Sequence, residues 1–282
     1  MAKIKITCDS TCDLPQELCE KHNITVMPLN VGMGDQFYRD GADVTPEELF
    51  AYVDRTGKLP TTAAVSPGDY TDFFRPFVED GYDVIHVNLS VELSVCYQNA
   101  RLAAEELGHV IPIDSQNLSS GSGHLALAAA EMAEAGMSAQ EIADRLNEMK
   151  QRLDVSFIIQ TLDYLHKGGR CSGLAAFGAN LLKIRPEIEV KHGAMQVGRK
   201  YRGSMEKTVL DYVRGRLEGR TDVETGRIFV THSPMPHELV EKVMDLVKEL
   251  HPFREVIESN AGCTISTHCG PACIGVLFFT KS

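Results

Sequence analysis

The stretch Asp83-Val-Ile-His-Val-Asn-Leu-Ser-Val-Glu-Leu-Ser-Val-Cys-Tyr-Gln98 joins two kinds of local order. Residues 84–87 form a short apolar run suited to a buried strand. A polar turn follows, and then sequence that starts a helix near Glu92 to Ser94. A strand feeding a helix through serines gathers hydroxyls and backbone N–H groups at one spot. The first-turn N–H groups of a helix have no internal partner and carry partial positive charge. Such a spot can seat a phosphate or a carboxylate. It can also be a plain helix start capped by Ser90 or Ser94, and taken alone the stretch favours the cap.

The flanking sequence repeats the same grammar. Residues 3–8 alternate as a strand and end in Asp9-Ser-Thr-Cys-Asp-Leu-Pro15, with a helix expected over 14–22 and a short strand over 24–27. Residues 32–43, with Gly32, Gly34 and Gly41, read as loop. Thr45-Pro46-Glu47-Glu48 is a helix start, with Thr at the N-cap, Pro at N1 and Glu at N3. Residues 58–69 read as an extended loop presenting Thr61 and Thr62, closed by a Ser66 cap on a helix ending near residue 79. After the central stretch come a strand over 110–113 ending in Asp114-Ser115, a helix over 119–135 and a helix over 138–152. Short apolar strands alternating with helices call for a parallel sheet covered on both faces. Three of those strands end in polar turns, and ligands of open α/β sheets gather at the carboxyl ends of the strands.

Beyond residue 153 the texture changes. A strand over 155–161 leads to a short helix over 162–167 stopped by Gly168-Gly169. A hairpin around His192-Gly193, helices over 205–217 and 236–250, and strands over 227–232, 255–258 and 275–280 follow. The expected fold is α/β in two domains: an N-terminal Rossmann-like parallel-sheet domain over 1–153 and a C-terminal mixed α+β domain over 154–282.

Composition narrows the function. With 282 residues, 43% hydrophobic and 24% charged, the chain has the make-up of a soluble globular protein. No apolar run approaches a membrane span, and the first residues lack the apolar stretch of a signal peptide. Eight scattered cysteines without a CxxC pair fit reduced thiols, so a cytoplasmic location is expected. Cys263, His268, Cys269 and Cys273 cluster, but the second tight ligand pair of a zinc site is missing, and no metal is expected. A net charge of −11 argues against nucleic acid. Against that balance, the segment 166–202 holds eight cations (Lys167, Arg170, Lys183, Arg185, Lys191, Arg199, Lys200, Arg202) and two carboxylates (Glu187, Glu189), which favours an anionic partner near that face. The glycines of Ser119-Ser-Gly-Ser-Gly-His124 lack the Lys-Ser/Thr of a phosphate loop, so no nucleotide cofactor is expected. Ser94, His268 and Asp114 could make a hydrolase trio, although no GxSxG elbow is present.

A set of short blocks carries a resemblance. Asp9-Ser10-Thr11-Cys12-Asp13-Leu14-Pro15, Pro60-Thr61-Thr62 with Ser66-Pro67-Gly68-Asp69, Leu93-Ser94 with Tyr97-Gln98, Asp114-Ser115, Thr161-Leu162-Asp163-Tyr164-Leu165 with Gly168-Gly169-Arg170, and His268-Cys269-Gly270-Pro271 occur in the order seen in the DegV family, from residue 7 to residue 276. The chain resembles that family of bacterial fatty-acid-binding proteins. The resemblance implies two α/β domains with a long-chain fatty acid buried between them, and a partner fatty acid kinase that phosphorylates the carboxylate. It implies that Thr62 and Ser94 donate hydrogen bonds to the carboxylate with His268 beside it, and that Arg170 and Arg202 face the kinase. The chain departs from the pattern at Ser94-Val95-Cys96-Tyr97, where Ser-Gly-Thr-Tyr is usual, and at Thr62-Ala63-Ala64-Val65, where Thr-Ser-Gln-Pro is usual. If a glycine with positive φ is needed after Ser94, Val95 shifts the turn. The expectation is a lipid carrier with no catalytic residue and no cofactor. Its rivals are a serine-dependent acyl hydrolase or transferase, and a regulatory module for a small anionic metabolite.

Overall fold

The computed structural model describes residues 3–171 and 184–281. Strand β1 (Lys3–Asp9) passes through a single 3-10 turn to α1 (Gln16–Lys21) and β2 (Thr25–Met27). A hairpin of β3 (Asn30–Met33) and β4 (Gln36–Arg39) precedes α2 (Pro46–Thr56), β5 (Thr61–Ala63) and α3 (Pro67–Glu79). Then come β6 (Tyr82–Asn88), α4 (Cys96–Leu107), β7 (Val110–Asp114), α5 (Ser119–Glu134) and α6 (Ala139–Met149). The remaining elements are β8 (Leu153–Ile158), α7 (Asp163–Gly168), β9 (Arg185–Lys191), β10 (Ala194–Tyr201) and α8 (Met205–Leu217). They end with β11 (Val223–His232), α9 (His237–Leu250), β12 (Glu255–Asn260), α10 (Cys263–Cys269) and β13 (Ile274–Thr280).

The strands form three sheets: parallel β2-β1-β6-β7, mixed β10-β9-β8-β13-β11-β12, and a small antiparallel β4-β3-β5. Among the described strands of the mixed sheet, β11 and β12 pair in parallel and the other neighbours pair antiparallel. The expected α/β class, with a parallel sheet first and a mixed sheet second, is what the chain forms. The Thr45 capping box is present in full, with Thr45 Oγ1 accepting from Glu48 N and the Glu48 carboxylate accepting from Thr45 N.

Helix α5 is the layer between the two larger sheets. It packs on β1 and β6 on one side and on β8, β11 and β13 on the other. Its residues 119–130 are buried all round, as befits a helix enclosed by protein. The serines and glycines at its start serve this enclosure. A Cβ on Gly121 would lie 2.6 Å from Asn117 Oδ1, and one on Gly123 would lie 2.7 Å from the Cys12 carbonyl. One continuous apolar core therefore joins Ile85 and Val87 of the parallel sheet, Leu125 and Leu127 of α5, and Phe229 and Leu277 of the mixed sheet.

Four expectations fail locally. Residues 32–43 are not a loop, because β3 and β4 pair there as a hairpin. The expected loop over 58–69 contains β5, which joins the same sheet with Thr62 opposite Val31. Helix α4 begins at Cys96 and not near Glu92. A helix, α10, occupies residues that gave no helical signal. Lys183, counted in the basic stretch, lies outside the described residues.

Candidate ligand-binding site

The carboxyl ends of β1, β6 and β7 lie side by side, with Cys8 opposite Val87 and Asn88 opposite Asp114. Their polar residues hold the chain and leave the cavity to others. The buried Asp9 carboxylate accepts from Tyr70 Oη at 2.6 Å, His86 Nε2 at 3.1 Å and Leu89 N at 2.9 Å. Asp114 Oδ1 accepts from Val91 N at 3.2 Å and Gln116 N at 3.1 Å. These bonds fix residues 89–95 as a wall, since backbone groups leaving a buried strand need partners.

Against that wall lies a cavity of about 490 Å³, bounded by β5, the 89–95 segment, the start of α5, the strands β8, β10 and β13, and helices α7 and α10. Its volume falls within the usual range for small-molecule sites. Leu93, Leu118, Phe157, Leu165, Met195 and Leu277 supply apolar surface. Several other hydroxyls also line it; Thr264 Oγ1 has no partner among the described residues, but most are turned to protein partners. Ser156 Oγ is 2.9 Å from Tyr212 Oη, Ser233 Oγ donates to Gly270 O at 2.8 Å, and Ser119 Oγ donates to Asp13 Oδ2 at 2.5 Å. A hydroxyl satisfied in this way presents little polarity to a ligand.

Thr62, Ser94, Arg170 and His268 all line this cavity. Thr62 Oγ1 and His268 Nε2 are 2.9 Å apart. The other ring nitrogen, Nδ1, is buried without a hydrogen-bond partner among the described residues and lies 2.3 Å from where a Cβ on Gly168 would sit. A proton on Nδ1 would be an unsatisfied buried donor, so the favoured tautomer carries it on Nε2 and donates to Thr62 Oγ1. The Thr62 hydroxyl hydrogen is then free to point at a ligand acceptor.

Burial, with the Arg170 guanidinium adding to it, pushes His268 down from 6.5 to about 4, so the ring is neutral at pH 7. Burial holds His124 in α5 at about 4 as well. A histidine whose folded pKa is depressed binds fewer protons than the unfolded chain between pH 6.5 and about 4. Its stabilising effect is thus complete above pH 6.5 and is lost as pH falls through that window. In urea unfolding, stability is expected to drop between pH 7 and 5, and His268→Gln should remove part of that drop. An unchanged pH slope in the variant would contradict a neutral His268.

Ser94 is half-buried just before α4. Its Oγ accepts from Cys96 N at 3.3 Å and donates to Cys96 Sγ at 3.2 Å. It therefore supports the start of the helix and faces the cavity as well. Sulfur is a weak acceptor, so a carboxylate would readily take this hydroxyl. Val95 has φ −82°, a value that a β-branched residue adopts without strain, so the turn does not need the glycine usual there. Ala63 and Ala64 line the cavity and add no polar group.

Arg170 is exposed at the cavity edge. Its Nη1 donates to Gly168 O at 2.6 Å, and among the described residues no carboxylate pairs with it. Arg202 is exposed in the turn between β10 and α8 and does not line the cavity. Much of the basic stretch is already engaged. Lys191 pairs with Glu189 at 3.0 Å, Arg185 Nη1 donates to Gly203 O, and Arg199 Nη1 to Gly215 O.

The hydrolase trio does not assemble. His268 bonds Thr62, Ser94 bonds Cys96, and the Asp114 carboxylate holds backbone N–H groups. Of the C-terminal cysteines, Cys263 Sγ turns away to Val44 O, while Cys269 Sγ reaches Gly270 O and stays in hydrogen-bond contact with Cys273. Among the described residues no group of three or more His, Cys, Asp or Glu side chains is placed to hold a metal ion. No helix among them is long and apolar enough to cross a membrane. The apolar wall residues come from distant elements and share no spacing, so no sequence pattern marked them. Gly168 stood in a quoted motif, yet its role as the backing of His268 needed the fold.

A family model described as "Uncharacterised protein, DegV family" matches residues 3–281. A DegV domain-containing protein of Clostridium acetobutylicum is 33% identical over 287 residues, covering 100% of both chains. Among solved structures, a fatty-acid-binding DegV family protein of Thermus thermophilus superposes with a TM-score of 0.88 at 31% identity, covering 99% of this chain and 100% of that one. A stearic acid-binding protein of Eubacterium ventriosum gives 0.86 at 28% identity, covering 100% and 99%.

Proposed function

The chain belongs to the DegV family, and from that premise we propose that it is a carrier of one long-chain fatty acid. The acyl chain occupies the cavity between the sheets, and the carboxylate is held by the hydroxyls of Thr62 and Ser94 with neutral His268 beside it. The observation that carries this reading is the layout of the cavity, in which one polar corner opens onto walls whose other hydroxyls are mostly engaged elsewhere. A carboxylate out of bulk water needs charge-assisted donors. The tail contributes about 0.8 kcal/mol per buried CH₂, so a long chain can bind tightly without a cation in the seat. The carrier works in the cytoplasm without a cofactor, and the chain divides at residue 153 into domains 1–153 and 154–282. Arg170 at the mouth, with Arg202 on the exposed turn before α8, forms the face for a fatty acid kinase, since arginine suits a transferring phosphoryl group.

Denaturing mass spectrometry of the purified protein tests the reading. A fatty acid in near-stoichiometric amount is expected. A clean protein that also fails to take up palmitate or oleate would sink it.

A further inference from the structure

Helix α10 carries His268, yet its first turn is held by carboxylates from the opposite end of the chain. Cys263 N donates to Asp40 Oδ1 at 2.7 Å and Thr264 N to Asp40 Oδ2 at 3.1 Å. Gly262 N donates to Asp13 Oδ1 at 2.8 Å, and Ser259 Oγ donates to the Asp13 carbonyl. Asp40 is 4% exposed and takes a third bond from Ser10 Oγ at 3.0 Å. Gly262 sits between the two carboxylates: a Cβ there would lie 3.1 Å from Asp40 Oδ1 and 3.2 Å from Asp13 Oδ1.

This helix needs outside support. Cys263-Thr-Ile-Ser-Thr-His-Cys269 is short and rich in β-branched residues, so its intrinsic tendency to be helical is weak. Thr264 and His268 are one turn apart and share a face. The small antiparallel sheet grips both ends of that turn. Asp40 directly follows β4, Thr62 lies in β5, and both strands pair with β3. The sheet that holds the helix start thus also presents the hydroxyl that meets the imidazole.

We infer that Asp40, assisted by Asp13, is a positioning residue of the carboxylate seat, fixing α10 so that His268 Nε2 meets Thr62 Oγ1. The inference deepens the fatty-acid reading and rests on it for its effect on affinity.

Palmitate titration of the wild type, Asp40→Asn, His268→Ala and the double variant tests it. Asn cannot accept both N–H groups as the carboxylate does. Residues coupled through one network deviate from additivity. Asp40→Asn is expected to weaken palmitate binding about tenfold in the wild type and less than twofold when His268 is already alanine. The same loss in both backgrounds, which general loosening would give, overturns the inference. Should Asp40→Asn not fold, Gly262→Ala pushes on the same carboxylates without changing charge and enters the same cycle. If the wild type takes up no fatty acid, the carrier reading fails, and the positioning role is then decided by NMR of ligand-free protein. Shifted His268 ring resonances in Asp40→Asn (or in Gly262→Ala) support it, and unmoved ones overturn it.

Discussion

Replacing both Thr62 and Ser94 by alanine is expected to weaken fatty-acid binding by roughly 3–5 kcal/mol, and each single change by about 1–3 kcal/mol. The asymmetry of hydrogen bonding sets this size. A bond to a charged acceptor is worth more than a neutral one, and a carboxylate stripped of its donors in a closed site keeps its full desolvation cost. Thr62→Ala has a second consequence, because it also removes the acceptor for His268 Nε2 at 2.9 Å. Thr62→Ser should keep most of the affinity, since the hydroxyl remains and only a methyl is lost. Calorimetric titration with palmitate reads all four proteins. Unchanged affinity in the double variant would remove the head-group assignment while leaving the cavity as a possible tail site.

Gly168→Ala should weaken palmitate binding by about 1–3 kcal/mol, the usual cost of overpacking a fitted site. Its new Cβ would fall 2.3 Å from His268 Nδ1, a separation that the ring must relieve by shifting, which disturbs its 2.9 Å contact with Thr62 Oγ1. The neighbouring glycine gives the contrast. Gly169 has φ +67° with nothing within 4 Å of a built Cβ among the described residues, so Gly169→Ala meets none of their atoms and bears chiefly the left-handed backbone. It should lose about 1 kcal/mol of stability with palmitate affinity retained. Equal affinity losses for the two variants would mean that the segment matters as a loop and that Gly168 does not back the imidazole.

Much of this arrangement was legible in the residues. The alternation of short apolar strands with helices led to the parallel sheet, and helix 205–217 has the bounds that its pattern implied. Thr62, Ser94, Arg170 and His268 meet around one cavity although they come from β5, the turn before α4, the end of α7 and α10. What stayed hidden was hidden for physical reasons. Glycines in residues 32–43 mask a hairpin whose stability comes from pairing with β5. Helix α10 is composed of residues that disfavour helix, and its hydrogen-bond partners lie more than 200 positions away. The late start of α4 follows from Ser94, whose hydroxyl takes Cys96 N and places Val95 in a turn. Arg202 falls outside the cavity because basic sequence density carries no information about which side chains face inward.

A crystal structure of the protein grown with palmitate tests the central claim most directly. The account predicts one acyl chain in the cavity between the parallel and mixed sheets, with its carboxylate within hydrogen-bond distance of Thr62 Oγ1 and Ser94 Oγ and beside the His268 ring. A chain bound with its carboxylate away from that corner, or a cavity that stays free of lipid at saturating palmitate, would contradict it.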